Sequence, residues 1–128
     1  MSYYISKKVD YNFEQAIEKA TERLKEEGFG VLTEIDVKDT LKKKLDVDFK
    51  KYRILGACNP GFAHQALQHE DKIGTMLPCN VIVEEHDDGG VEISAVDPMA
   101  SMQAVENAEL AAIAGEVKSR LEKVIEAV

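Results

Sequence analysis

The sequence predicts an α+β domain, a mainly antiparallel sheet covered by amphipathic helices. Three observations carry that expectation. Short alternating or continuously apolar runs recur along the chain at strand length, and longer runs repeat apolar residues at helical spacing. Asp87-Asp88-Gly89-Gly90, between Cys79–Glu85 and Val91–Val96, is a hairpin turn signal. Finally, strands and helices are interleaved without any long Pro/Gly/Ser-rich divider, so residues 1–128 read as one domain.

Taken in order, Tyr3 to Val9 is a strand rich in aromatic and branched side chains. Asn12 offers an N-cap and Gln15 completes a capping box, after which Phe13, Ala16, Ile17, Ala20 and Leu24 recur at helical spacing as far as Gly28. Phe29, Val31, Thr33, Ile35 and Val37 alternate with Leu32, Glu34 and Asp36, the period of a strand. Asp39 is placed to cap a short helix with Leu41 and Leu45 inward and Lys42–Lys44 outward. Tyr52 to Cys58 reads as a strand buried on both faces. Asn59-Pro60 then starts a helix whose inner stripe is Phe62, Ala63, Ala66 and Leu67 and which ends near Glu70. After the hairpin, Asp97-Pro98 opens a short helical turn holding Met99 and Met102. The closing helix, capped near Asn107, aligns Leu110, Ile113, Ala114, Val117, Leu121, Val124 and Ile125. Helices on one side alone would leave the other sheet face without cover, and pairing of two copies through that face is the expected solution.

Composition narrows the function classes. The 128 residues include 16 basic and 24 acidic side chains, a net charge of -8, with 45% hydrophobic residues. The charge is uneven: residues 1–53 hold 12 basic and 11 acidic groups, residues 54–128 hold 4 and 13. An acidic second half repels a phosphate backbone, so nucleic acid is not an expected partner. The cluster of Lys42, Lys43, Lys44, Lys50 and Lys51 reads as a solvated face. No run reaches the ~18 apolar residues of a membrane-spanning helix, so no membrane partner is expected. The N-terminus lacks a basic-then-apolar leader, which makes the cytoplasm the expected address and free thiols the expected state of the two cysteines.

Two runs carry the candidate chemistry: Gly56-Ala57-Cys58-Asn59-Pro60-Gly61 and Leu77-Pro78-Cys79-Asn80-Val81. One Cys-Asn pair ends a strand and the other begins one. If those strands run antiparallel, both thiols fall at the same end of the sheet. Cys58 also precedes the helix begun by Asn59-Pro60-Gly61, whose unpaired N–H groups and dipole favour a thiolate or a bound anion. The candidate ligand-binding residues are therefore Cys58, Asn59, Pro60, Gly61, His64, Cys79 and Asn80. Three readings stand side by side. Cys58 is a nucleophile or contact in a small-ligand or anion pocket with His64 as proton partner; Cys58, Cys79 and His64 hold a zinc-type metal; or the thiols are core residues of a homodimer without chemistry. No carboxylate pair has a spacing that forces its members together, His69 suits its place near a helix C-terminus, and His86 is expected to be exposed beside the turn. No reaction follows from the residues.

The segments Gly28–Val37, Tyr52–Pro60, Ala63-His64, Leu77–Val81 and Ser94–Pro98 together resemble the domain-of-unknown-function 302 family over nearly the whole chain. The resemblance implies a β-α-β-rich α+β fold grouped with TATA-binding-protein-like architectures and a tendency to dimerise, and it implies no established reaction. Its pattern is matched at Cys58, Asn59, Pro60, His64, Pro78, Cys79 and Asn80. An architectural likeness to a DNA-binding protein carries no function by itself.

Overall fold

The computed structural model describes residues 2–128. Five strands, β1 (Tyr4–Val9), β2 (Gly30–Asp36), β3 (Tyr52–Cys58), β4 (Cys79–Glu85) and β5 (Val91–Val96), form one sheet in the order β1-β5-β4-β3-β2, with every neighbouring pair antiparallel. Five helices accompany them: α1 (Phe13–Glu26), α2 (Val37–Leu45), α3 (Pro60–His69), α4 (Pro98–Ser101) and α5 (Ala108–Ala127). A 3₁₀ segment, Asp71–Met76, links α3 to β4. The α+β class read from the sequence is the class observed.

Local chemistry sets the helix ends. Asn12 accepts from the Gln15 backbone while the Gln15 side chain accepts from the Asn12 backbone, so both halves of the expected capping box close. Asp97 accepts from the backbone N–H groups of Met99 and Ala100, which fixes α4 as one turn, and Lys118 Nζ reaches its second carboxylate oxygen at 3.0 Å. Asn107 caps α5 at the Glu109 N–H.

The core lies between one sheet face and α1 and α5. Phe13, Ala16, Ala20 and Leu24 of α1 and Val117, Leu121, Val124 and Ile125 of α5 pack on Leu55, Val81, Val83 and Ile93 of the strands, all buried. A smaller cluster joins Ala66 of α3, Ile73 and Leu110. The inward stripes expected for α1 and α5 are buried except at Ile17 and Ile113, which are partly buried and pack against the core. Alternation sends the remaining strand residues to the opposite face. Cross-strand partners there are Ile35 with Ile54, Ile54 with Ile82, Ile82 with Ser94, and Ser94 with Ser6.

Three expectations need correction. The helix after β2 begins at Val37 and is capped by Asp36, whose Oδ1 accepts from the Asp39 N–H; Asp39 sits inside the first turn. None of that helix is buried, and Leu45 is 66% exposed. A nine-residue amphipathic pattern on the flank of β2 and β3 found no surface to bury its stripe. Leu67 of α3 is likewise exposed, because Phe62, Ala63 and Ala66 fill the inward side.

Candidate functional site

The antiparallel pairing of β3 and β4 decides where the thiols lie. Ala57 is the cross-strand partner of Cys79 and Gly56 that of Asn80, so Cys58 and Cys79 are at one end of the sheet, as the spacing predicted. Both line a single cavity of about 30 Å³ between that end of the sheet, α3 and α5. Its walls are almost wholly apolar, among them Phe29, Phe62, Leu110, Ile113 and Val117, with Asn59 the polar exception. A space of this size admits roughly two waters or the tip of a ligand.

The two thiols differ. Cys58 and Cys79 are both free and partly buried. Burial pushes the Cys79 thiol up from its ordinary 9.0 to about 11, and the neighbouring Cys58 adds to the rise. Cys79 is therefore a neutral thiol near pH 7, a wall of the cavity and no nucleophile.

Asn59 connects the site to the fold. Its Oδ1 accepts from the Phe62 N–H at 3.5 Å and its Nδ2 donates to the Glu27 carbonyl at 3.4 Å, tying the start of α3 to the end of α1. Gly28, at φ +87 just after α1, leaves the room for this contact: a Cβ there would stand 2.9 Å from Asn59 Nδ2. The same capping uses up the helix start. Pro60 has no N–H, Asn59 Oδ1 takes that of Phe62, and the Asn59 carbonyl takes that of Ala63 at 2.9 Å. Gly61 supplies the first-turn donor that remains for an anion.

The structure brings Cys58, Asn59 and Cys79 together and leaves the other candidates outside. His64 is exposed on α3 and does not line the cavity, because the inward positions of that turn belong to Phe62, Ala63 and Ala66. A Cys58–Cys79–His64 ligand set is therefore not assembled. Pro60 and Gly61 are exposed at the helix start. Asn80 follows Cys79 in β4 and so points to the opposite sheet face, where it borders a groove with Tyr3 and Tyr4. His69 pairs with Glu109 of α5, a structural contact.

Sequence reasoning missed a second group. His86 is half-buried, with its Nε2 2.8 Å from Glu92 Oε1, and Glu92 is the cross-strand partner of Glu84. The hairpin signal at Asp87–Gly90 held the clue, since folding that turn sets residue 84 opposite residue 92.

A five-stranded antiparallel sheet, helices packed on one of its faces and two thiols at the rim define the class: a small α+β protein with a thiol-lined cavity. Residues 5–128 match the family described as domain of unknown function DUF302, and the chain belongs to that family. It is similar to a solved structure described as an uncharacterized conserved protein DUF302 from Bacillus stearothermophilus, with 29% identity and a TM-score of 0.92, covering 99% of this chain and 98% of that one. Comparison with curated proteins gave no match. The family and the neighbour carry no specific function.

Proposed function

We propose that the chain is a small-ligand-binding protein whose contact residue is Cys58, at the wall of the thiol-lined cavity. One observation carries the reading: Cys58, Asn59 and Cys79 line the same cavity at the rim of the sheet. The cavity is apolar and holds about 30 Å³, so it takes the apolar tip of a ligand while the remainder stays outside it. The reading takes the cytoplasm as the address, where both thiols would stay reduced.

Alkylation with iodoacetamide, read by mass spectrometry on the folded protein, tests this. Cys58 is expected to react first. At pH 8 Cys79 carries about 100-fold less thiolate than an ordinary cysteine, which follows from its two-unit rise, and it reacts correspondingly slowly. Reaction of Cys58 only at the rate of global unfolding would show a sealed cavity and end the proposal.

The same reading makes the functional form a homodimer joined through the sheet face away from α1 and α5. Support comes from the apolar row Ile35, Ile54 and Ile82, together with Tyr4 and Ile35, which stand 46% and 48% exposed on that face. Light scattering coupled to size exclusion is expected to give twice the 14.2 kDa chain mass. Ile82→Lys is expected to give a folded monomer, and a monomeric wild-type chain at 100-fold dilution and undiluted alike refutes the pairing.

Among the described residues, no helix is long and apolar enough to span a bilayer.

A further inference from the structure

The row of side chains nearest the β4–β5 hairpin holds a group unconnected with the cysteine cavity. Glu84 and Glu92 are direct cross-strand partners, and His86 lies two residues beyond Glu84, where the chain enters the turn. One ligand atom from each of the three lies within 4.8 Å of the others, and all three side chains are half-buried. Two carboxylates facing each other across adjacent strands repel. The fold offsets that repulsion with two local partners: Lys50 Nζ, 2.7 Å from Glu84 Oε1, and His86 Nε2, 2.8 Å from Glu92 Oε1. Lys8 of β1 is the cross-strand partner of Glu92, and Lys50 Nζ stands 5.8 Å from the centre of the Tyr52 ring.

We propose that Glu84, His86 and Glu92 form a binding site for a divalent first-row transition-metal cation. The donor set is one imidazole nitrogen and two carboxylate groups. That set suits Zn²⁺ and its neighbours, whereas a soft ion would ask for sulfur and Ca²⁺ for more oxygen donors. Three protein ligands are what an open metal site provides, with further positions left to water or a small molecule. Here both glutamates also line a groove of about 410 Å³ on the sheet face away from α1 and α5, bordered by Tyr3, Tyr4, Tyr52 and Asn80. An exchangeable ligand thus reaches the ion from the groove. The site shares no residue with the cysteine cavity; its groove includes Tyr4 and Ile82, which also belong to the face proposed for pairing.

Lys50 gives the proposal a signature of its own. Its ammonium occupies Glu84 in the metal-free chain, so a cation must displace it, and Lys50 is a built-in competitor. Removing that competitor and removing a ligand must act in opposite directions.

Titration of the full chain with ZnCl₂, in a Cys58→Ser/Cys79→Ala background that takes thiols out of consideration, tests this by calorimetry. One Zn²⁺ per chain is expected. His86→Ala and Glu92→Gln are each expected to weaken binding by at least about tenfold, and Lys50→Gln to tighten it several-fold. Should the double-cysteine background fold poorly, Co²⁺ absorption of the wild-type chain serves instead. It is expected to show weak d–d bands that His86→Ala removes, without intense sulfur charge-transfer absorption. No binding up to millimolar Zn²⁺, binding indifferent to His86→Ala and Glu92→Gln, weaker binding by Lys50→Gln, or sulfur charge transfer as the sole Co²⁺ signal each overturns the assignment.

Discussion

Replacing Gly56 by alanine is expected to destabilise the chain by about 3 kcal/mol, which at this size lowers the unfolding midpoint by about 10 °C. Gly56 sits in β3, between the edge strand β2 and the central strand β4, and is buried. A Cβ built there would overlap Thr33 Oγ1 and come within 2.9 Å of Pro78 Cγ. Space, and not backbone freedom, is what demands glycine, since this residue has no positive φ. Thr33 is β-branched and stiff at χ1, and the Pro78 ring has no rotamer to give, so neither neighbour yields cheaply. Thermal and urea unfolding check the magnitude. Thr33→Ala in the Gly56→Ala background is expected to restore part of the loss by removing the overlapping oxygen, a coupling between neighbours that additive effects would not show. A Gly56→Ala chain within about 0.5 kcal/mol of wild type contradicts the packing described.

The second large effect is alkaline. Cys79 has its folded-state pKa pushed from 9.0 to about 11, chiefly by burial and then by the neighbouring Cys58. Below about pH 9 the thiol is protonated in the folded and the unfolded chain alike, and the stability linked to it is fully present. Between about pH 9 and 11 the unfolded chain ionises while the folded chain holds its proton, so stability falls as pH rises through that window. At 1.36 kcal/mol per pKa unit the total is about 2–3 kcal/mol. Lysines and tyrosines also titrate there, so the informative quantity is a difference. Urea unfolding of wild type and Cys79→Ala at pH 8, 9, 10 and 11 is expected to show the gap between them narrowing by that amount. A gap independent of pH contradicts the burial of this thiol.

Both predictions arise at the junction of β3 and β4, where the sequence was most informative. Asn59-Pro60 announced a helix start, and Asn59 does cap α3. The two Cys-Asn runs announced strand ends, and antiparallel pairing brought them to one rim. Legibility ended at side-chain direction. His64 and Asn80 belong to the same runs, yet one turns outward on α3 and the other crosses to the opposite face of the sheet. Helix phase and strand alternation decide these directions, and a shift of one residue reverses them. The acidic pair Glu84 and Glu92 stayed hidden for a different reason. Eight positions separate the two residues, and only the register of the hairpin makes them neighbours.

Sequence alone determined the class of fold, the strand and helix order, the caps at Asn12, Asn59, Asp97 and Asn107, and the apolar stripes of α1 and α5. All of these are local: a cap needs a donor within three residues, and periodicity is a property of one segment. Tertiary structure decided that the cavity beside Cys58 is apolar, that Cys79 is a protonated wall, that Leu45 lies exposed and that His86 meets two glutamates. Each of those depends on what another segment places nearby. Burial and electrostatic environment are sums over neighbours distant in sequence, so they take definite values only when the sheet register and helix packing are set.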